Sequence, residues 1–199
     1  MARNPPHASP PRVWIAPSAS REECGRGQVC HDQRVSTSLD VEQQFPADAF
    51  QTFRLLIDPA YIEEKCQATG SLRTTIDVSG DPDSAITVRT ERVLPADVPA
   101  VARSFVGETI DVTEIQEWSA PGSDGSRSAV VSVRFSGPLR FEGTAELRPT
   151  AAGCSITTSG RMTAKVPFVG GTIEEEAAKQ TTKYLRTEER LASEWLGRA

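Results

Sequence analysis

Histidine is missing from most of this sequence. His7 and His31 are the two present, and none follows residue 35 in a chain of 199. Downstream of that point a Ser-His-Asp or Cys-His arrangement is excluded, as is any metal site built on imidazole. Catalysis there would have to use carboxylates, Lys, Tyr, Arg or a thiol. Positive charge is also short: 22 Lys and Arg stand against 27 Asp and Glu, for a net charge of −5. That balance argues against a nucleic-acid partner, which would need a basic stripe. No apolar run approaches the roughly 18 to 20 residues of a membrane span. Near the N-terminus the longest apolar patch is Val13-Trp14-Ile15-Ala16, too short for the core of a secretory signal, so a cytoplasmic location is expected. Cysteine is sparse as well: Cys24, Cys30, Cys66 and Cys154. In a reducing compartment these are expected to be free thiols. Cys24, Cys30 and His31 fit neither a haem-attachment motif nor a zinc site with a second ligand pair. No metal and no cofactor are expected.

What is present divides into two unequal parts. Residues 1–35 hold five of the 14 prolines, both histidines and two of the four cysteines, without a periodic apolar pattern. Such a segment buries too little surface to offset chain entropy. It is expected to be an unstructured leader, or an upstream extension of a chain that starts at Val35. Residues 36–199 are expected to form one domain.

From Ser36 the pattern alternates, with Thr37, Leu39, Val41 and Phe45 on one face, as in a half-buried strand. Helical spacing follows from Pro46 to Leu56, then a second short helix opens at Asp58-Pro59. Alternating segments then run through Leu72–Val78, Ile86–Leu94, Ile110–Trp118, Ala129–Phe135, Leu139–Leu147 and Cys154–Val166. In the third of these Ile115 breaks the phase, which suggests a bulge. A final segment, Thr172–Leu196, places its apolar residues on one arc of about 140°. The order predicts an α+β fold: a curved, seven-stranded antiparallel sheet around a long C-terminal helix, with two short helices after the first strand.

The stretch VPFVGGTIEEEAAKQ joins the last strand to that helix. Its glycine pair is not read as a phosphate cradle. No Lys or Arg follows until Lys179, and Glu174, Glu175 and Glu176 near the helix start would repel phosphate. Thr172 and Glu175 have the spacing of a capping box, so a capped strand-to-helix joint is expected.

The element order resembles the START-like, or helix-grip, superfamily, which includes birch-pollen-allergen and polyketide-cyclase-like proteins. The strings STSLDVEQQF, LPADVPAVARSFVG, VPFVGG and EERLASEWL resemble more closely an uncharacterised START-like family found mainly in actinobacteria. The resemblance implies a cavity between sheet and helix that holds an apolar or amphipathic molecule, lipid- or polyketide-like.

Two features of the residues agree with that implication. Residues 94–107 exceed what a hairpin needs, and Val98, Val101, Ala102 and Phe105 recur at helical spacing. That helix either caps a cavity mouth or packs permanently on the core edge. Polar residues also fall at inward positions: Thr90, Arg92, Gln116 and Thr158 on strands, Thr181, Tyr184 and Glu188 on the helix. The expected ligand-binding set is Arg92, Phe105, Gln116, Trp118, Thr158, Thr181, Tyr184 and Glu188, with Arg92 as the expected partner of Glu188. Three function classes stay open: a small-ligand binder, a cyclase- or hydratase-like enzyme using Glu188, Tyr184 or Arg92, and a protein-interaction module.

Overall fold

The computed structural model describes residues 36–96 and 107–198. The expectations for the leader, for Cys24 and Cys30, and for the helix containing Phe105 lie outside the described residues.

The chain runs β1 (Thr37–Phe45), α1 (Ala49–Leu56), α2 (Pro59–Ala68), β2 (Arg73–Gly80), β3 (Ile86–Pro95), β4 (Thr109–Trp118), β5 (Arg127–Phe135), β6 (Leu139–Thr150), β7 (Gly153–Ala164) and α3 (Gly170–Leu196). The strands form one antiparallel sheet in the order β1-β7-β6-β5-β4-β3-β2. Strands β2 to β7 are a simple meander, while β1 pairs beside β7 at the opposite edge from β2. The chain must therefore cross from one edge of the sheet to the other between β1 and β2. Helices α1 and α2 make that crossing, and α3 packs against both of them and against β1 and β7.

Each element starts for a local reason. Asp48 accepts a hydrogen bond from the Gln51 N–H at 2.8 Å and caps α1, so that helix begins at Ala49 rather than Pro46. Asp58 caps α2 through the Ala60 N–H, also at 2.8 Å, with Pro59 in the first turn. In β1 the residues Leu39, Val41, Gln43 and Phe45 are buried in strict alternation. Gln43 is polar yet inward: its Nε2 donates to the Leu185 carbonyl at 2.8 Å and ties β1 to α3.

Three further sequence expectations are corrected. First, β4 carries no bulge at Ile115. Its pairing with β3 is continuous from Thr109 to Trp118, so Glu114 takes the inward phase and is buried. Second, Leu72 precedes β2 and is exposed, instead of sharing the inner face with Ile76 and Val78. Third, α3 begins at Gly170, its cap residue is Val169, and no side chain caps it. Thr172 and Glu175 thus form no capping box, and the three glutamates lie past the first turn. Glu174 instead turns its buried carboxylate to the sheet, where it accepts from the N–H groups of Thr37 at 3.0 Å and Ala164 at 2.7 Å. One carboxylate thereby holds the start of β1 and the end of β7 against α3.

Two close approaches explain glycines. A Cβ on Gly170 would stand 2.7 Å from the Ala164 carbonyl oxygen, so the joint from β7 into α3 needs glycine there. Gly143 and Gly160 face each other across β6 and β7, and the Phe141 ring occupies the space their side chains would fill. The core proper joins Phe53, Tyr61, Phe141, Leu147 and Met162 to Leu185, Leu191 and Ala192 of α3. Aromatic edges meet in the pairs Phe53–Trp118 and Tyr61–Trp195. Cys66 and Cys154 are free and buried, as expected. No helix among the described residues is long and apolar enough to cross a membrane.

Candidate functional site

Alternation on the inner sheet face and the inward arc of α3 surround a cavity of about 490 Å³, within the size range of small-molecule sites. Val88, Ile110, Val131, Val133, Phe141 and Ile156 supply much of its apolar wall. Of the eight residues expected to bind ligand, the structure places Arg92, Gln116, Trp118, Thr158, Thr181, Tyr184 and Glu188 on this wall. Phe105 lies outside the described residues.

The charged groups on the wall between β3, β4, α2 and α3 form a connected cluster with Gln116, Trp118 and Tyr184. Thr90 on β3 is paired in register with Glu114 on β4, which puts Arg92 and Glu114 diagonally across the same face. Arg92 Nη2 donates to Glu114 Oε2 at 3.3 Å. Gln116, two residues along the same strand face, donates through Nε2 to Glu114 Oε1 at 2.5 Å. Trp118 Nε1 in turn donates to Gln116 Oε1 at 2.9 Å. From α3, the Tyr184 hydroxyl reaches Glu114 Oε2 at 3.5 Å.

The pairing expected between Arg92 and Glu188 does not form. Glu188 meets Lys65 of α2 instead, Nζ to Oε1 at 3.2 Å, with both side chains buried. The Tyr61 hydroxyl donates to the Glu188 backbone carbonyl at 3.0 Å and braces the same contact. Tyr184 sits one helical turn before Glu188 and links the two pairs. The Arg92 guanidinium lies 4.3 Å and Lys65 Nζ 5.1 Å from its ring centroid.

Three polar side chains of the cavity wall escape the sequence reading, and each carries a signal. Glu114 is in phase with Ile110, Val112, Gln116 and Trp118. Lys65 follows Tyr61 and Ile62 by helical spacing and precedes Cys66, all of them buried. Gln43 sits in phase with Leu39, Val41 and Phe45.

Charge in the cluster is held firmly. Burial alone would lower Lys65, but Glu188, Tyr184 and Glu114 more than offset it and keep the ammonium well above its ordinary range. Burial would likewise raise Glu114, yet Arg92, Lys65 and the hydrogen bonds from Gln116 and Tyr184 bring it below the ordinary carboxylate value. Burial pushes the Tyr184 hydroxyl up, against the opposing pull of Arg92. Among the described residues, two buried side-chain polar atoms lack a hydrogen-bond partner, Arg92 Nε and Ser71 Oγ. Of these two residues, Arg92 belongs to the cavity wall. No cluster of His, Cys, Asp and Glu among the described residues could hold a metal ion.

A seven-stranded antiparallel sheet curved around a long C-terminal helix, with two short helices after the first strand, is the helix-grip, START-like fold. Residues 40–196 match the model of a family described as a protein of unknown function, DUF2505, and the chain belongs to that family. No curated protein matches it. Similar solved structures include a protein from Thermus thermophilus, 16% identical with a TM-score of 0.53, over 79% of this chain and 95% of that one. An uncharacterised protein from Rhizobium leguminosarum is 10% identical with a TM-score of 0.54, over 80% and 96% of the two chains. Norcoclaurine synthase from Thalictrum flavum, solved in complex with dopamine and hydroxybenzaldehyde, is 15% identical with a TM-score of 0.51, over 90% and 96%. At such identities the likeness is one of fold.

Proposed function

We propose that the chain binds one small, largely apolar or amphipathic molecule in the cavity between the sheet and α3. The observation that carries this reading is a cavity of about 490 Å³ whose walls are mainly apolar and carry a connected cluster of buried charged groups. A domain built only for stability would fill such a space, because empty apolar volume is destabilising. Buried ion pairs are also a poor route to stability, since desolvation offsets most of their attraction. Arg92, Gln116, Trp118, Thr158, Thr181, Tyr184 and Glu188 are the proposed contacts. A structure of the same fold, norcoclaurine synthase, was solved with two small aromatic molecules, which supports a fold able to take up such ligands.

A cyclase- or hydratase-like activity has less support. A general acid or base works best with a pKa near the operating pH. Of the three groups that reading would use, Tyr184 and Arg92 are both shifted up, away from neutrality, and Glu188 is engaged in the ion pair with Lys65.

Native mass spectrometry of the chain purified from its own host tests the reading for a retained small molecule. Titration with an apolar fluorophore tests it in solution. One-site, saturable binding is expected, and unsaturable binding would point to an interaction module with an exposed apolar surface.

A further inference from the structure

The cluster is balanced in charge but not in hydrogen-bonding capacity. Lys65 and Arg92 supply two positive charges, and Glu114 and Glu188 supply two negative ones. The guanidinium of Arg92 carries five N–H groups and the ammonium of Lys65 three. Among the described residues the Arg92 side chain makes one hydrogen bond, to Glu114, and the Lys65 side chain makes one, to Glu188. Arg92 Nε is buried without any acceptor. Of the two carboxylates, Glu114 serves Arg92, Gln116 and Tyr184, while Glu188 accepts from Lys65 alone. Thr90 and Thr158 add buried hydroxyls to the wall, and neither side chain is hydrogen-bonded among the described residues.

Resting on the cavity reading above, we propose that the ligand's polar end is an uncharged hydrogen-bond acceptor, a carbonyl-type oxygen, seated at Arg92 with Lys65 beside it. Nε itself is closed off even from water, but Arg92 and Lys65 line the cavity with further N–H groups, and a ligand oxygen that takes one of them gains a charge-assisted hydrogen bond. A carboxylate head would also find donors, but it would leave the buried cluster with net negative charge. Glu114 and Glu188 already neutralise both cations, so nothing compensates the desolvation of a further anion. An ammonium head would find an acceptor at Glu188, which accepts from Lys65 alone, but it would leave the neutral cluster with net positive charge. The surplus of N–H groups over charge therefore selects ketones, aldehydes, esters, lactones or quinones over acids and amines of equal size.

The test uses the full chain near neutral pH and three probes of matched length, 2-nonanone, n-nonane and nonanoate. Each competes with a bound apolar fluorophore. The ketone is expected to displace it about tenfold more effectively than either of the others, equivalent to about 1.4 kcal/mol. Nonanoate matching or exceeding the ketone overturns the inference, and so does a ketone no better than nonane. Equal, saturable binding of all three would leave the cavity reading standing while removing the head-group assignment. Absence of saturable fluorophore binding would remove both. The variant Arg92→Lys keeps a cation for Glu114 but gives up donors, so the ketone-to-nonane ratio should fall about threefold. An unchanged ratio in a folded variant would overturn the role of Arg92.

Discussion

Lys65 on α2 and Glu188 on α3 meet at 3.2 Å with both side chains buried, so an ion pair joins the Tyr61 contacts that hold these helices together. Breaking one side of such a pair strands the other charge in a dry environment. Glu188→Gln is expected to lower stability by about 3 kcal/mol. The double variant Lys65→Met/Glu188→Met should recover most of that loss, because two apolar side chains replace the pair without an orphan. Urea unfolding measures both. A change within about 0.5 kcal/mol for Glu188→Gln would mean that water reaches the pair.

The pH dependence follows from two shifts of opposite direction. Glu114 is depressed below its ordinary value of 4.5, so its contribution is present above that value and is lost as pH falls through the lower folded value. Lys65 is raised above its ordinary 10.5, so its contribution is complete below that value and is lost only as pH rises through the higher folded value. Stability is expected to hold between these limits and to decline below pH 4.5. Glu114→Gln should flatten the acid decline and lower the plateau. An acid limb unchanged by that substitution would place the responsible carboxylate elsewhere.

Glu174 holds two strand ends to α3 through hydrogen bonds to Thr37 and Ala164. An amide can replace only part of this, since its NH₂ group faces donors. Glu174→Gln is expected to cost about 2 kcal/mol, with faster amide exchange at Thr37 and Ala164. Loss of stability without faster exchange at those sites would contradict the strand-pinning role.

Gly160 leaves room for the Phe141 ring, whose Cζ would stand 2.5 Å from an added Cβ. The Glu142 carbonyl oxygen lies equally near, so the backbone cannot yield cheaply. Gly160→Ala is expected to destabilise by about 1–3 kcal/mol in thermal or urea unfolding. A neutral result would show that β6 and β7 separate more readily than their register implies.

Much of this fold was legible because period-two alternation marks every strand and helical spacing marks the long C-terminal helix. Phe45, Ile86 and Phe141 announced their faces in the sequence, and sheet order follows from a meander with one exchanged edge. Local sequence was less able to place element starts. Pro46 and Thr172 both looked like helix beginnings, yet Asp48 and the close approach at Gly170 decide the starts. The cluster was only half legible. Arg92, Tyr184 and Glu188 lie at inward positions, but which charges meet depends on where α2 lands after crossing the sheet. Lys65 reaches Glu188 from that helix, which leaves Arg92 to Glu114. Ile115 is apolar yet takes the opposite face of β4, whereas strand phase alone places Glu114 inside.

The central claim is that the space between sheet and α3 holds one small molecule. Native mass spectrometry of the full chain, titrated with 2-nonanone, tests it most directly. The account predicts a single added ligand mass that saturates at one equivalent and is weakened in Arg92→Lys. Continued addition of further equivalents without a plateau, or no addition at all, would contradict it.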